Sequence, residues 1–309
     1  MKENVPSQSM EKTRKWHRAK YSFWIVMPVV LLLTGCSSQK ENQLKPVSGL
    51  EQLGEIQVVA REDGSGTRDA FASLLGFAQS SAFGSSDLTT ETAQIAEDAE
   101  AVIAAVAENP SAVGYVSLGS LDGTESVKVL EVNGISPNEK SYPLSRSFYL
   151  AYHGKQSDLE QDFLTYVQGA GQEIVAKSYT PIAKSSSFLS NQAEGTILLS
   201  GSTSVAPLME ELATAYMEIN PHAAIQVEPS DSTKGLNAAM AGTCNFGMAS
   251  RDLKDYEMEL LDYTVIAQDH IAVIVHPENP VENLTPEILK EIYTGNLKNW
   301  EEINTYGKE

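Results

Sequence analysis

The chain has 309 residues, 41 acidic against 22 basic, with 42% apolar and 7% aromatic side chains. That length holds one large or two ordinary domains with a real core, and the apolar share is too high for a disordered chain. A formal charge of −19 argues against a nucleic-acid partner, and two distant cysteines with five scattered histidines leave no disulfide scaffold and no metal-ligand spacing.

The N-terminus reads as an address. Lys12, Arg14, Lys15, Arg18 and Lys20 precede an 11-residue apolar run at 23–33. A bilayer span wants about 20 such residues, so this is a secretory signal. It ends in Leu33-Thr34-Gly35-Cys36, which resembles a bacterial lipobox and implies that Cys36 is lipidated and becomes the new N-terminus. A plain uncleaved anchor is the alternative, and either way the rest is exported and held at a membrane surface. Residues 36–309 carry 16 basic and 39 acidic side chains, a formal −23. Residues 1–36 are thus signal and lipobox, and the polar stretch 37–54 is a flexible tether.

Beyond it, short apolar runs alternate with helical periodicity. Strands are expected at 56–60, 113–116, 127–132, 197–199, 225–227, 246–249 and 271–275. Helices are expected at 67–75, 93–108, 205–219, 236–241 and 286–293, with a helical pair over 158–175. Residues 183–195 form a Ser-rich linker. The alternation argues for α/β with mostly parallel strands, and no internal repeat is found.

The chemistry gathers at helix starts. Ser200-Gly201-Ser202-Thr203-Ser204 joins a strand to a helix with Pro207 in its first turn. Unpaired amides and about half a positive charge from the helix dipole favour an anion there. A Ser/Thr turn of this kind is most often only a cap. The pattern recurs in Arg61-Glu62-Asp63-Gly64-Ser65-Gly66-Thr67. Its glycines let the amides fold inward, Ser65 and Thr67 carry hydroxyls, and Arg61 offers a planar fork that Asp63 could hold. Ser232-Thr233-Lys234-Gly235 and Ser250-Arg251 are further cases. Together they put hydroxyl donors at the C-terminal ends of strands, where α/β sheets place ligands.

These residues carry a resemblance. LSGSTSVAPLMEELATAY (199–216), NFGMASRDLKDYE (245–257), IAVIVHPENPVENLT (271–285), IYTGNLKNWEEI (292–303), VVAREDGSGTRDAF (58–71), NPSAVGYVSLGSL (109–121) and YPLSR (142–146) resemble the PstS-like phosphate-binding lipoproteins of bacterial ABC transporters. The resemblance implies a two-lobed periplasmic-binding-protein fold of type II. It further implies a non-enzymatic monomer without cofactor, lipid-anchored on the extracytoplasmic face, that captures inorganic phosphate between its lobes and feeds the transmembrane subunits and ATPase of an ABC permease. Carried over by position, Arg61, Ser65, Gly66, Thr67, Thr203, Ser204 and Ser232 bind phosphate, and Asp63 orients Arg61.

Two positions depart from the family. Asp231 replaces a glycine before the serine turn. Arg251, with Asp252 beside it, stands where the best-known members have the carboxylate that accepts the phosphate's proton. Arg251 is therefore a candidate phosphate contact, with Asp231 and Asp252 in support, and the proton acceptor is unassigned. Segment order departs too. Family members begin at the GSTSVAP stretch and reach REDGSGTRD after the NW segment, so joining 303 to 57 would restore their order. This is a circular permutation, with 183–195 bridging the old termini; a gene-model error or a truncated tandem copy gives the same order. Lobe A is then 55–121 plus 271–309, lobe B is 122–270, and hinges fall near 118–123 and 270–271.

Cys244, Trp300 and the acidic runs at 255–262 and 300–302 read as structural or solvated, and His270 as a local substitution near a hinge. The competing functions are a binding protein for sulfate or molybdate, a phosphate-sensing module, and, remotely, a serine hydrolase using Ser65 or Ser204. The last lacks a Gly-x-Ser-x-Gly elbow.

Overall fold

A computed structural model describes residues 46–81 and 84–307, and Cys36 with its lipobox lies outside them. In chain order, β1 (Gln57–Arg61) leads into α1 (Gly66–Leu74), a hairpin of β2 (Ala78–Ser81) and β3 (Gly84–Asp87), β4 (Gln94–Ala96), α2 (Ala99–Ala107) and β5 (Ala112–Ser117). After a 3-10 turn at Leu118–Leu121 come β6 (Lys128–Val129), β7 (Glu131–Val132), β8 (Ser145–Tyr152), α3 (Asp158–Gln168) and α4 (Gln172–Ser178). Then follow β9 (Gly195–Ser202), α5 (Ala206–Ile219), β10 (Ala223–Ser230), α6 (Ser232–Met240), β11 (Phe246–Ala249) and α7 (Asp255–Leu260). The chain continues through β12 (Asp262–Val275), β13 (Asn283–Leu284), α8 (Pro286–Tyr293) and a last 3-10 turn, Trp300–Asn304. Helix starts carry the side chains that satisfy first-turn amides: Ser65, Asp98, Ser157, Asp231 and Thr285 each accept from a backbone N–H.

One curled sheet runs β10-β9-β11-β8-β12-β5-β1-β4, with β6 also on β12. The outer strands of each half pair in parallel, as the strand–helix alternation leads one to expect. Where the halves join, pairing is antiparallel. β12 makes the join: Asp262 to His270 pair with β8, and Ile271 to Val275 pair with β5.

Alternation along the strands fills both faces of each half. In lobe A, Val58, Ala60, Val113, Tyr115, Ile271 and Val273 enter one core while Val59, Val116 and Ile274 enter a second. In lobe B, Phe148, Leu150, Phe246 and Met248 face one core and Ala151 and Ala249 the other. Each lobe is thus a three-layer α/β unit. Under α1, Phe71 stacks on Tyr115 at 4.1 Å and meets Tyr293 edge-on at 4.8 Å. Such pairs add about 0.5–1.5 kcal/mol beyond burial, and they fix the helix whose start carries Ser65 and Thr67.

Several expectations change. Leu50 is buried in the lobe A core, and the backbone of Val47 exchanges two hydrogen bonds with Asn304, so 46–54 belongs to the lobe rather than to a tether. Residues 94–96 form β4 beside β1, and the helix begins only after Asp98 caps it. The strand at 127–132 splits because its pairing switches from β12 to β13. Leu130, Val132, Tyr142 and Leu144 pack in the lobe A core, so lobe A keeps the chain to residue 144 instead of 121. Crossovers fall at 144–145 and 270–271, tied by Ile271 N–H to Leu144 C=O at 2.8 Å. The Ser-rich segment is docked: Ser190 and Tyr216 both donate to buried Asp162 at 2.7 Å. Residues 54–56 meet 298–300 through Ile56 N–H to Lys298 C=O at 2.7 Å and Trp300 N–H to Gly54 C=O at 3.0 Å. Among the described residues no helix is long and apolar enough to cross a membrane.

Candidate functional site

Four strand ends converge where the lobes meet. β1 ends in Arg61, and Gly64, at φ +88°, turns the chain so that Ser65 caps α1. β9 ends in Ser202, and Thr203 and Ser204 follow before α5. β10 passes through Asp231 into α6, which opens on Ser232, and Ser250 follows the end of β11 at Ala249. Across the lobes, Thr67 Oγ1 lies 2.9 Å from Ser204 Oγ, and Arg61 Nη2 donates to Thr203 Oγ1 at 3.1 Å. Thr233 N–H donates to the Gly64 carbonyl at 3.3 Å. A Cβ on Gly66 would lie 2.2 Å from Ser232 Oγ and 2.6 Å from Ser250 Oγ. Ser232 in turn accepts from Ser250 N–H at 3.1 Å, and Ser202 Oγ donates to Ser250 Oγ at 2.9 Å. Ser65, Thr67, Ser202, Ser204, Ser232 and Ser250 are all buried. The first turns of α1, α5 and α6 thus share one buried hydroxyl-lined spot. Helix dipoles and first-turn amides make it favourable to an anion.

Three guanidinia surround it, each held by carboxylates. Arg61 grips Glu62 through Nε at 2.8 Å and Nη2 at 2.9 Å, and its backbone N–H donates to Tyr115 Oη at 3.2 Å. Arg146 is bound to Asp269 Oδ2 at 2.8 and 3.0 Å and donates to Thr67 Oγ1 at 2.8 Å and the Ser250 carbonyl at 3.1 Å. Burial pushes Asp269 above the usual carboxylate range and Arg146 below the usual arginine range, against their mutual attraction. Arg251 forms a bidentate pair with Glu257 at 2.7 and 2.9 Å.

A fourth guanidinium braces the Arg61 turn from outside. Arg68 donates to the Arg61 carbonyl at 3.0 Å while Asp87 accepts from it at 2.7 and 3.2 Å. Burial opposes ionisation of Asp87 and Glu257. Hydrogen bonds from Arg68 and Thr89 in one case, and from Arg251 and Lys254 in the other, still hold both below the usual carboxylate range. A lowered folded value stabilises above the unfolded value near 4 and is lost as pH falls through the lower folded value. Urea midpoints measured from pH 6 to pH 2 should therefore fall in the acid range. The fall should be shallower in Asp87→Asn, and an equal fall would remove this account.

A family model described as a PBP superfamily domain matches residues 38–170 and 186–308. The chain is 35% identical over 283 residues to phosphate-binding protein PstS 2 of Streptococcus agalactiae, covering 88% of this chain and 93% of that one. The chain belongs to the PstS family of phosphate-binding proteins. PstS 2 of Streptococcus pneumoniae gives 35% over 279 residues, covering 88% and 94%. A crystal structure of the phosphate-binding protein of a phosphate ABC transporter from Streptococcus pneumoniae superposes with TM-score 0.68 at 36% identity, covering 81% of this chain and all of that one. The fold is accordingly that of a two-lobed binding protein.

Of the residues matched to the PstS family by sequence, Arg61, Ser65, Gly66, Thr67, Thr203, Ser204 and Ser232 come together. The other four take other roles. Asp63 pairs with Arg68 at 2.8 Å with its side chain 97% exposed, and Glu62 holds Arg61 instead. Asp252 is exposed; its carboxylate accepts from Tyr149 Oη at 2.6 Å, while its backbone carbonyl accepts from Arg251 Nη1 at 2.9 Å. Arg251 spends its guanidinium on carboxylates, and its Nε lies 3.0 Å from Asp69 Oδ2. Asp231 caps α6, accepting from Lys234 N–H at 2.7 Å, and pairs with Lys234 Nζ at 2.9 Å. Sequence reasoning missed Arg146 and Asp269, and it placed Ser202 and Ser250 in hydroxyl-bearing turns without carrying them into the phosphate set. The signal for Arg146 was present, since it closes the YPLSR stretch. Cys244 is half-buried, and burial pushes its thiol up to about 11, so it is protonated at neutral pH. Trp300 is buried and donates to the Ser111 carbonyl at 3.0 Å, a packing role.

Proposed function

We propose that the chain captures inorganic phosphate between its lobes and delivers it to an ABC permease, without chemistry of its own. The observation that carries this is the meeting of Thr67, Ser204, Ser232 and Ser250 with the Arg61 and Arg146 guanidinia at three helix starts. Family membership supports phosphate as the guest and transport as the purpose. The binding set is Arg61, Ser65, Gly66, Thr67, Thr203, Ser204 and Ser232, joined by Arg146 and Ser250. Arg251 moves from this set to a role between the lobes. Hydrolysis has no support: among the described residues neither Ser65 nor Ser204 hydrogen-bonds a histidine, which a nucleophilic serine needs as its base.

In this reading Cys36 carries the lipid and the body works as a monomer on the extracytoplasmic face. Segment order is a circular permutation of the more usual PstS arrangement. Two observations support it: 54–56 lies against 298–300, so the reconnected ends are neighbours, and the streptococcal relative aligns over nearly its whole length in this same order. A gene-model error would not be shared.

Isothermal calorimetry on the full chain in detergent tests the assignment. Phosphate should bind with micromolar or tighter affinity, about −8 kcal/mol, and more tightly than sulfate. Heat from neither anion, or equal affinity for both, overturns it. Arg61→Ala removes a charge-assisted fork and should cost about 2 kcal/mol, roughly thirtyfold in affinity. Unchanged affinity would take Arg61 out of the set.

A further inference from the structure

Helix α7 is short and mostly exposed, yet Glu257 within it is completely buried. Both of its oxygens are used. Arg251 donates to them at 2.7 and 2.9 Å, and the Lys254 backbone N–H donates to Oε2 at 2.7 Å. All of these groups sit in lobe B, so this arrangement travels with the lobe as a unit. It also fixes where the guanidinium sits, with Nε buried, making no hydrogen bond among the described residues, and within ion-pair distance of lobe A. Arg251 Nε lies 3.0 Å from Asp69 Oδ2, and Asp69 is on α1, two residues beyond Thr67, in lobe A. Nη2 reaches Thr233 Oγ1 at 3.3 Å, beside the Thr233 N–H that binds the Gly64 carbonyl across the lobes. The side chains of Arg251 and Asp69 are 4% and 13% exposed, so their attraction is screened far less than that of a surface pair.

We propose that Asp69, Arg251 and Glu257 form a closure latch: an interlobe ion pair, aimed by Glu257, that holds the closed lobes together and sets the release rate of phosphate without touching it. Arg251 is a positioning residue here. The inference rests on the reading that phosphate is captured by lobe closure. Separating the lobes parts Asp69 from Arg251 and leaves Arg251 on Glu257. The pair therefore favours the closed state alone, and a contact made in one state only shifts the equilibrium between them. Such a latch acts on dissociation, because the encounter complex forms before the lobes meet.

The test is stopped-flow release of phosphate from the full chain in detergent, wild type against Asp69→Asn. That variant keeps size and removes charge at a partly exposed position, so folding is spared. The release rate should rise about tenfold, with the association rate within twofold of wild type. The unfolding temperature of the phosphate-free protein should stay put, while the rise brought by saturating phosphate shrinks. Asp69→Glu keeps the charge and should return release to within about threefold of wild type. Wild-type binding with an unchanged release rate in Asp69→Asn overturns the latch alone. So does an equal drop in unfolding temperature with and without phosphate, which marks a merely structural pair. Failure of the wild type to bind phosphate overturns the functional reading and the latch with it.

Discussion

Gly66→Ala is expected to leave both lobes folded and to weaken phosphate binding roughly thirtyfold. Gly66 opens α1, and its φ is not in the left-handed region, so alanine fits the local backbone. The obstacle lies in the other lobe. A methyl there would stand 2.2 Å from Ser232 Oγ, 2.6 Å from Ser250 Oγ and 3.0 Å from Ser232 Cβ. Both hydroxyls are buried and bound to each other's neighbourhood, so neither swings away without breaking a hydrogen bond. Overpacking of this kind costs about 1–3 kcal/mol, and it is felt only when the lobes close. Calorimetry should show the weaker affinity, and the unfolding temperature without phosphate should match the wild type. Wild-type affinity would mean that the lobes do not meet at Gly66 in the bound state.

The second large effect is at Arg146. Arg146→Met leaves the Asp269 carboxyl buried and without its partner, which should cost about 3–5 kcal/mol of stability. In a chain of this size that lowers the unfolding temperature by roughly 10 °C. Phosphate affinity should fall as well, because Thr67 and the Ser250 carbonyl lose their shared donor. The double variant Arg146→Met with Asp269→Leu separates the two losses. Replacing both charges by apolar side chains should recover most of the stability and none of the affinity. If the double variant binds phosphate like the wild type, Arg146 serves the fold only.

What the sequence made legible was local. Ser-Thr-Ser at the end of β9 and Gly-Ser-Gly-Thr after β1 advertise hydroxyls and tight turns within a few residues, and those turns do meet. Arg146 and Asp269 were hidden for the opposite reason. Their strands, β8 and the first half of β12, turn these charged residues inward where apolar ones are looked for, and the two charges cancel only across 123 residues of chain. The choice between neighbouring Glu62 and Asp63 was also beyond composition. The turn at Gly64 points the first carboxylate at Arg61 and the second outward to Arg68. Val47, Leu50 and Leu53 offered only three apolar residues in a polar stretch, too short a run to announce an element, so their place against the core depended on what lay opposite them.

The strand β12 passes from one lobe to the other without a break in its backbone, exchanging β8 for β5 as its neighbour between His270 and Ile271. Relative motion of the halves is therefore taken up as twist in a continuous ribbon, since no slack loop exists at that point to swing. A twisted ribbon has a preferred angle and resists departure from it in either direction. The gap between captures would then close and reopen about a set rest position, with the elasticity written into the sheet.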